Sequence, residues 1–405
     1  MANTMTTSVS VEEVYGILTR STEPADAAAQ TPLREANGRL LCEDVLSPFD
    51  VPRFNNSAMD GYAFRGSELK GERVTLALCG TSYAGTPFEG EVPVGACIRI
   101  MTGAAVPEGL DTVIPFEDVE ATDAAVSFSA DAVKPGANVR LLGEEIRRGQ
   151  VVIPKGAMLT PEALGLAASF GRAALPCASL RVGVFSTGDE LREPGEPLGP
   201  GQIYASNGYL LEALITRWGH EVVPLGVLPD DETVLEKAIR AAMAECDVLV
   251  TTGGVGEGDH DLISRVLGRL GSIEHFHVRM RPGKPLAFGY LDAGHPVFFI
   301  GLPGNPVAAA MSSRLFLRPT LARLSGLTDK VERPETVRVV CGKDVRAKAS
   351  RTDFVRGNFV NGKFEGSPLQ SSAMLTSLMK AEAVLIVPEG TGTLPAGSEA
   401  DAFLL

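Results

Sequence analysis

The sequence predicts a multidomain α/β protein, with one alternating α/β unit set between β-rich segments. Three observations carry this. At 405 residues the chain is long enough for roughly two to four domains of about 150 residues each. Between Leu180 and Gly326 apolar β-type runs alternate with amphipathic helical stretches, the pattern of a parallel sheet covered by helices on both faces. From Asp44 to about Arg140, and again after Thr328, helical periodicity fades and short β-type runs replace it.

The elements follow in order. Ser10-Val-Glu-Glu13 has the form of a capping box, and Val11, Val14, Tyr15 and Leu18 recur at helical spacing. Val74–Cys79, Cys97–Met101 and Thr112–Phe116 are predicted strands. Thr160-Pro161 supplies a cap and a proline at the first helical position for a helix over Glu162–Phe170. Within the α/β unit, strands are expected at Arg181–Ser186, Val222–Leu228, Asp247–Thr252, Leu286–Tyr290 and Val297–Gly301. Helices are expected at Gly208–Trp218, from Asp230 or Asp231 to about Glu245, at Leu262–Leu270, and from Asn305-Pro306 onward. Thr336–Cys341 and Ala383–Val387 read as strands of a last β segment.

Composition excludes several classes. The net charge is −13, without the clustered basic footprint of a nucleic-acid binder. Residues 329–405 hold ten basic and ten acidic side chains, so the acidic excess lies in the first 328 residues. Hydrophobic content of 44% rules out disorder as the overall state. No apolar run approaches bilayer-spanning length, and the N-terminal residues lack the pattern of a secretory signal. The six cysteines are scattered without a CxxC pair, which favours reduced thiols and a cytoplasmic location over a disulfide framework or zinc knuckle. The five histidines show no metal-ligand spacing, and no GxSxG nucleophile motif occurs.

Four patterns could carry chemistry. Thr251-Thr-Gly-Gly-Val-Gly-Glu-Gly-Asp259-His-Asp261 follows a predicted strand and precedes a helix. Four glycines in six residues there let backbone N–H groups face an anion. Arg279-Met-Arg281-Pro-Gly-Lys284-Pro285 places three cations in a stiff turn of an acidic chain, as an oxyanion site needs, although charged turns are often only solvated. Leu302-Pro303-Gly-Asn305-Pro306 is good helix-start chemistry in its own right, at the same predicted sheet edge. Acidic spots occur at Asp60, Glu117-Asp118, Glu144-Glu145, Asp189-Glu190 and Asp230-Asp231. Carboxylates after strands suit Mg²⁺ with a phosphate-bearing ligand, and Asp189-Glu190 is best placed, whereas Asp230-Asp231 reads equally as a helix cap.

At these residues the sequence resembles the molybdopterin molybdotransferase family, which includes bacterial MoeA and the E domain of gephyrin. The matching pieces are Pro52-Arg-Phe-Asn-Asn-Ser-Ala-Met-Asp60-Gly-Tyr-Ala63, Met101-Thr102-Gly-Ala, Gly143-Glu-Glu-Ile146, Ser186-Thr187-Gly188-Asp-Glu190-Leu191, Thr252-Gly253-Gly254-Val, Arg281-Pro-Gly-Lys284-Pro285 and Gly301-Leu-Pro303-Gly-Asn305-Pro-Val307. Phe354-Val-Arg-Gly357 is a weaker match.

The resemblance implies an elongated chain with a molybdopterin-binding-type three-layer α/β/α domain over 181–327, a mostly β second domain over 49–140 and a C-terminal β-barrel-like domain over 328–405. Residues 1–48 with 141–180 would form a linking and dimerisation domain. It also implies a homodimer whose site joins the α/β domain of one subunit to the Asp-Gly-Tyr region of the other. The reaction implied is insertion of molybdate into adenylylated molybdopterin with release of AMP and with Mg²⁺ as the metal.

Carried over by position, Asp60, Thr102, Glu190 and Asp259 would act in catalysis, with Glu190 and Asp259 on the metal. Ser186, Thr187, Gly188, Thr252, Gly253, Gly254, Gly256, Arg281, Lys284, Pro303 and Asn305 would bind substrate. The chain departs from the commoner family residues at Glu145, Gly256, His277 and Arg281. Two other readings stay open at this stage. One is a molybdopterin adenylyltransferase, whose α/β domain usually carries Gly-Gly-Thr-Gly; the other is a non-enzymatic scaffold. A single α/β unit implies that adenylylation falls to a separate partner protein.

Overall fold

The structure is a computed structural model that describes residues 7–24, 28–254 and 262–405. The chain forms two compact units: Met1–Glu43 with Lys155–Gly165 and Arg172–Leu405, and Asp44–Pro154 with Leu166–Gly171.

The larger unit is built on a seven-stranded sheet in the order Thr7–Val9, Gly271–Val278, Pro285–Asp292, Pro296–Leu302, Val248–Thr252, Arg181–Thr187, Glu221–Leu228. Alternate residues of each strand face opposite layers. Val182 and Val184 pack with Leu211, Leu214 and Ile215 of helix Ser206–Arg217 and with Val307, Ala310 and Met311 of helix Pro306–Ser312. Phe185 and Leu249 pack on the other face with Leu235 and Ile239 of helix Glu232–Met243 and Val266 and Leu267 of helix Leu262–Leu270. The result is a three-layer α/β/α arrangement. Each fully buried Val, Leu, Ile or Phe contributes about 1.5–3 kcal/mol of apolar transfer energy to it.

Two features depart from the expected all-parallel sheet. Pro285–Asp292 runs antiparallel to both neighbours, so the sheet is mixed. Gly271–Val278, not expected from the sequence, begins directly after the helix ending at Leu270. The two changes are linked, because a short turn at 279–284 can join neighbouring strands only if they are antiparallel.

Local chemistry fixes the helix starts. Ser10 Oγ accepts from Glu13 N at 3.2 Å while Ser10 N donates to Glu13 Oε2 at 2.6 Å, the reciprocal capping box expected for helix Val11–Ser21. Asp231, not Asp230, caps helix Glu232–Met243, accepting from Val234 N at 2.9 Å. That leaves Asp230 available for other contacts.

His220, 3% exposed, ends the turn after helix Ser206–Arg217, and its Nδ1 finds no partner. Burial, reinforced by the Arg39 cation, holds its pKa down to about 4 from the ordinary 6.5. The folded value lies below the unfolded one, so the unfolded chain binds the proton first as pH falls. Stability from this group is complete above about pH 6.5 and is lost towards pH 4, by at most about 3 kcal/mol. Urea melts between pH 7 and pH 4 should show that decline, and His220→Gln should flatten it. Equal slopes in the two proteins would remove the assignment.

In the same unit, Met280–Arg281, Thr352–Val360, Ala383–Val387, Glu399–Leu404 and Val337–Val340 form a second sheet, with Lys363–Gly366 paired to Thr352–Val360. A bridge from Cys341 to Phe364 brings its two ends together, so the sheet curls into a barrel-like form around Phe364, Leu385 and Ala402.

The smaller unit centres on a six-stranded sheet ordered Thr112–Pro115, Gly61–Phe64, Ala96–Ile100, Arg73–Ser82, Ala125–Ser129, Glu120–Ala121. Gly61 admits no side chain: a Cβ there would stand 2.0 Å from the Ile114 carbonyl oxygen of the neighbouring strand. Among the described residues, no helix is long and apolar enough to cross a membrane.

Candidate functional site

The carboxyl ends of three adjacent parallel strands meet at one edge of the α/β sheet, where such sheets receive ligands. Ser186 pairs in register with Thr252, and Thr252 with Leu302. The hydroxyls of Ser186 and Thr252 are 3.0 Å apart, both buried. Thr187 is buried beside them. Gly253 N donates to Leu302 O at 3.2 Å, and a Cβ on Gly304 would come within 3.6 Å of Gly253 Cα, so the two glycine turns lie against each other. Gly254 has φ +64, and a Cβ there would stand 2.0 Å from Ile263 Cδ1. Pro303 is buried; Asn305 is exposed at the cap of helix Pro306–Ser312 and makes no side-chain capping bond.

Asn207 joins this edge although its sequence context reads only as a helix start. Its Nδ2 donates to Gly304 O at 2.7 Å, which ties helix Ser206–Arg217 to the Leu302–Pro306 loop. Its Oδ1 is buried and has no hydrogen-bond partner.

Glu190 is exposed, and its carboxylate folds back over Gly188, where a Cβ would stand 2.6 Å from Glu190 Oε2. The loop is held by Ile203 N donating to Glu190 O at 2.8 Å and Leu191 N to Gly188 O at 2.9 Å. Asp230 belongs with this group. Burial, then the Asp189 and Glu190 charges, push its carboxyl above the usual range, with a backbone hydrogen bond from Asp189 offsetting part of the rise.

The donor set is all oxygen, as Mg²⁺ requires. Among the described residues, no three acidic, histidine or cysteine groups converge as a complete cage. Mg²⁺ does not demand one, since it commonly takes one or two carboxylates and completes its shell with water and phosphate. The expected Asp259 and Gly256 lie outside the described residues.

The basic turn joins Gly271–Val278 to Pro285–Asp292 at the same sheet edge. Its three cations do not share one role. Arg279 donates to Glu389 Oε1 at 2.8 Å and lies 3.6 Å from Glu13 Oε2, so it ties segments of the fold together. Arg281 and Lys284 remain exposed. His277 sits in the Gly271–Val278 strand, half-buried, paired in register with Ser8 and Pro285.

Two buried donors flank the turn. Gly283, at φ +108, packs so closely on helix Pro306–Ser312 that a Cβ would stand 2.6 Å from Ser312 Oγ, a buried hydroxyl without a partner. Arg356, fully buried, has its Nε on Ser377 Oγ at 3.0 Å and its Nη2 on the carbonyls of Leu369 and Ser371 at 3.3 and 3.2 Å. Its Nη1 has no partner, and burial, then the neighbouring Arg281 charge, lower its pKa. Unsatisfied buried donors beside cations are costly unless an acceptor arrives.

In the smaller unit, the strand register places Asp60 beside Thr102, since Gly61 pairs with Ile100. Thr102 N and Oγ1 each donate to Asp60 Oδ1 at 2.7 Å. The backbone bond, then the hydroxyl, hold the Asp60 carboxyl below its ordinary range, with Arg99 adding to the effect. Asp60 is therefore a fixed, ionised, exposed carboxylate.

These features define a class: a multidomain α/β protein whose central sheet edge gathers buried hydroxyls, glycine backbone, carboxylates and cations. Comparison with known proteins makes the class particular. Residues 9–171 match the MoeA N-terminal region (domain I and II), 183–323 match the probable molybdopterin binding domain, and 338–405 match the MoeA C-terminal region (domain IV). The chain belongs to the molybdopterin molybdenumtransferase (MoeA) family. It is 43% identical to the Haemophilus influenzae molybdopterin molybdenumtransferase over 80% of each chain, and 38% identical to molybdopterin molybdenumtransferase 2 of Mycobacterium tuberculosis over 74% of this chain and 75% of that one. The crystal structure of the molybdopterin biosynthesis MoeA protein from Pyrococcus horikoshii superposes with a TM-score of 0.83 at 27% identity, covering 98% of this chain and all of that one.

Proposed function

We propose that the protein is a transferase that inserts molybdate into adenylylated molybdopterin and releases AMP. The observation that carries this reading is the sheet edge itself. There the Ser186–Thr252 hydroxyl pair and the glycine turns lie at the same edge of the sheet as Arg281 and Lys284. Substrate phosphates and molybdate are both polyanions and need such donors.

Ser186, Thr187, Gly188, Thr252, Gly253, Gly254, Gly256, Pro303 and Asn305 would bind the pterin substrate. Arg281 and Lys284, with Arg356, would hold molybdate. Glu190, with Asp259, would hold Mg²⁺, whose chemistry when bound is to neutralise phosphate charge. Asp60, fixed by Thr102, would orient the substrate from a partner subunit in a homodimer. No protein nucleophile is needed: the dithiolene sulfurs replace molybdate oxygens, which leave as water after protonation, and hydrolysis of the phosphoanhydride frees AMP. The four segments 1–48 with 141–180, 49–140, 181–327 and 328–405 would act as domains. A separate molybdopterin adenylyltransferase would deliver the substrate, and the setting would be cytoplasmic.

The test supplies purified protein with adenylylated molybdopterin, Mg²⁺ and molybdate. AMP release that depends on molybdate, matched by cofactor able to reconstitute a molybdoenzyme, is the expected result. No molybdate-dependent AMP would sink the reading, and adenylylated product from molybdopterin and ATP would establish the adenylyltransferase instead. The dimer has its own test. Mixing Asp60→Asn with Glu190→Gln protein should restore up to about a quarter of wild-type activity, because random pairing leaves one intact site in half of the dimers. Activity that does not rise above that of the two single variants after verified subunit exchange would place both residues in one subunit's site.

A further inference from the structure

Away from the sheet edge, the larger unit holds a cavity of about 630 Å³ beside the C-terminal end of helix Ser206–Arg217, helix Arg318–Leu324 and the 328–337 segment. Its volume lies in the range of small-molecule sites, about 300–1,000 Å³. Arg217, Arg314 and Arg318 line it, and Trp218 and Phe403 add apolar surface.

Arg314 feels the charges of both Arg217 and Arg318. Burial, then the charges of Arg217 and Arg318, bring the Arg314 pKa down to about 10, and no carboxylate opposes that shift. Among the described residues none of the three forms an ion pair. Glu332 and Glu335 also face the cavity, as does Arg333; Glu332 lies 3.8 Å from Lys330, and Arg333 pairs with Glu12. Arg314 Nη1 donates only to its own helix, at Ala310 O, 3.1 Å away.

The helix geometry adds a second observation. Arg314 lies in a π-helical turn, Ser313–Leu317, inserted between helices Pro306–Ser312 and Arg318–Leu324. Such turns are rare and concentrate at functional sites. Arg314 and Arg318 stand four residues apart on this run, a spacing at which like charges destabilise a helix. A fold that keeps Arg314 beside two further cations that form no ion pair among the described residues, at a ligand-sized cavity, has left room for an anion.

We propose that this cavity is an accessory binding site for a small phosphorylated molecule carrying a flat apolar group. Arg217, Arg314 and Arg318 take the phosphate, whose oxygens match the guanidinium fork, and Trp218 and Phe403 receive the apolar part. The site uses none of the residues assigned to the transferase reaction and does not rest on that assignment.

Trp218 is the single tryptophan of the chain, so intrinsic fluorescence reports on this cavity. AMP serves as the probe, titrated into the intact protein. A saturable change with a midpoint below about 1 mM is expected, with inorganic phosphate at least about tenfold weaker and adenosine without effect. Arg314→Gln with Arg318→Gln should move the midpoint up by about tenfold or more. Arg217→Gln with Arg318→Gln, both at exposed positions, should do the same with unchanged melting, which keeps the test free of folding effects. Glu190→Gln should leave the titration unaltered, which separates this site from any AMP held at the sheet edge. No saturable change up to about 10 mM would overturn the proposal. So would a signal that survives both double substitutions, or one that adenosine or phosphate alone reproduces.

Discussion

Glu190→Gln is expected to lower molybdate insertion by about 100-fold or more while leaving the fold intact. Glutamine keeps the size of the side chain and removes its charge. The loss then reports on electrostatic work at the metal and phosphates, where deleting one well-placed group typically costs 10²–10³ in turnover. The fold should not suffer, because the loop is held by backbone bonds: Ile203 N to Glu190 O and Leu191 N to Gly188 O. The carboxylate itself is exposed.

The same substitution should return the neighbouring Asp230 carboxyl towards its ordinary range, since Glu190 is one of the charges that raises it. Single-turnover AMP release, with and without excess Mg²⁺, measures the effect. A partial recovery at high Mg²⁺ supports a role at the metal; wild-type turnover at low Mg²⁺ would exclude Glu190 from it. Asp60→Asn should cost less. Asparagine retains an oxygen that can accept both bonds from Thr102, so geometry is kept and only charge is lost.

Much of this was legible where the cause is local. The Ser10–Glu13 capping box and the period-3.6 stripe of helix Val11–Ser21 depend on residues within a few positions of one another. The Asp60-Gly61 pair was likewise visible, because the close approach of the neighbouring strand admits only glycine at Gly61. What escaped was set by distant chain. A buried strand is an apolar run whichever way it points, so Pro285–Asp292 gave no sign of being antiparallel. Gly271–Val278 starts directly after Leu270, so Gly271, which reads as a simple helix stop, is also the first residue of a strand.

Arg279 reads as part of an anion-binding turn until its partners, Glu13 and Glu389, arrive from opposite ends of the chain. Asp230 and Asp231 are indistinguishable in sequence, and only the bond to Val234 N decides which one caps. Asn207 was overlooked, and Arg356 was noted only within the weaker Phe354–Gly357 match, for a related reason. Neither stands out locally, and each becomes notable only because folding buries one polar atom without a partner.

Arg356→Gln follows from that last point, and its main effect should fall on one substrate. The guanidinium is fully buried, and three of its bonds fasten Ser377, Leu369 and Ser371. Its remaining Nη1 faces no protein acceptor, while Arg281 stands close enough to lower its pKa. If molybdate supplies the missing acceptor, removing the donor deletes a charge-assisted hydrogen bond worth about 1.5–3 kcal/mol. The KM for molybdate should then rise about 10–100-fold, while the KM for adenylylated molybdopterin changes little.

A purely structural role makes a different forecast. Losing the three fastening bonds would lower the melting temperature and degrade both KM values together. Arg356→Lys separates the two further, since it keeps the charge but not the fork; the molybdate KM should fall between those of wild type and Arg356→Gln. Saturating molybdate should restore turnover in both variants. Parallel changes in the two KM values, tracking the loss of stability, would leave Arg356 as a brace for the 367–379 segment and remove it from the anion site.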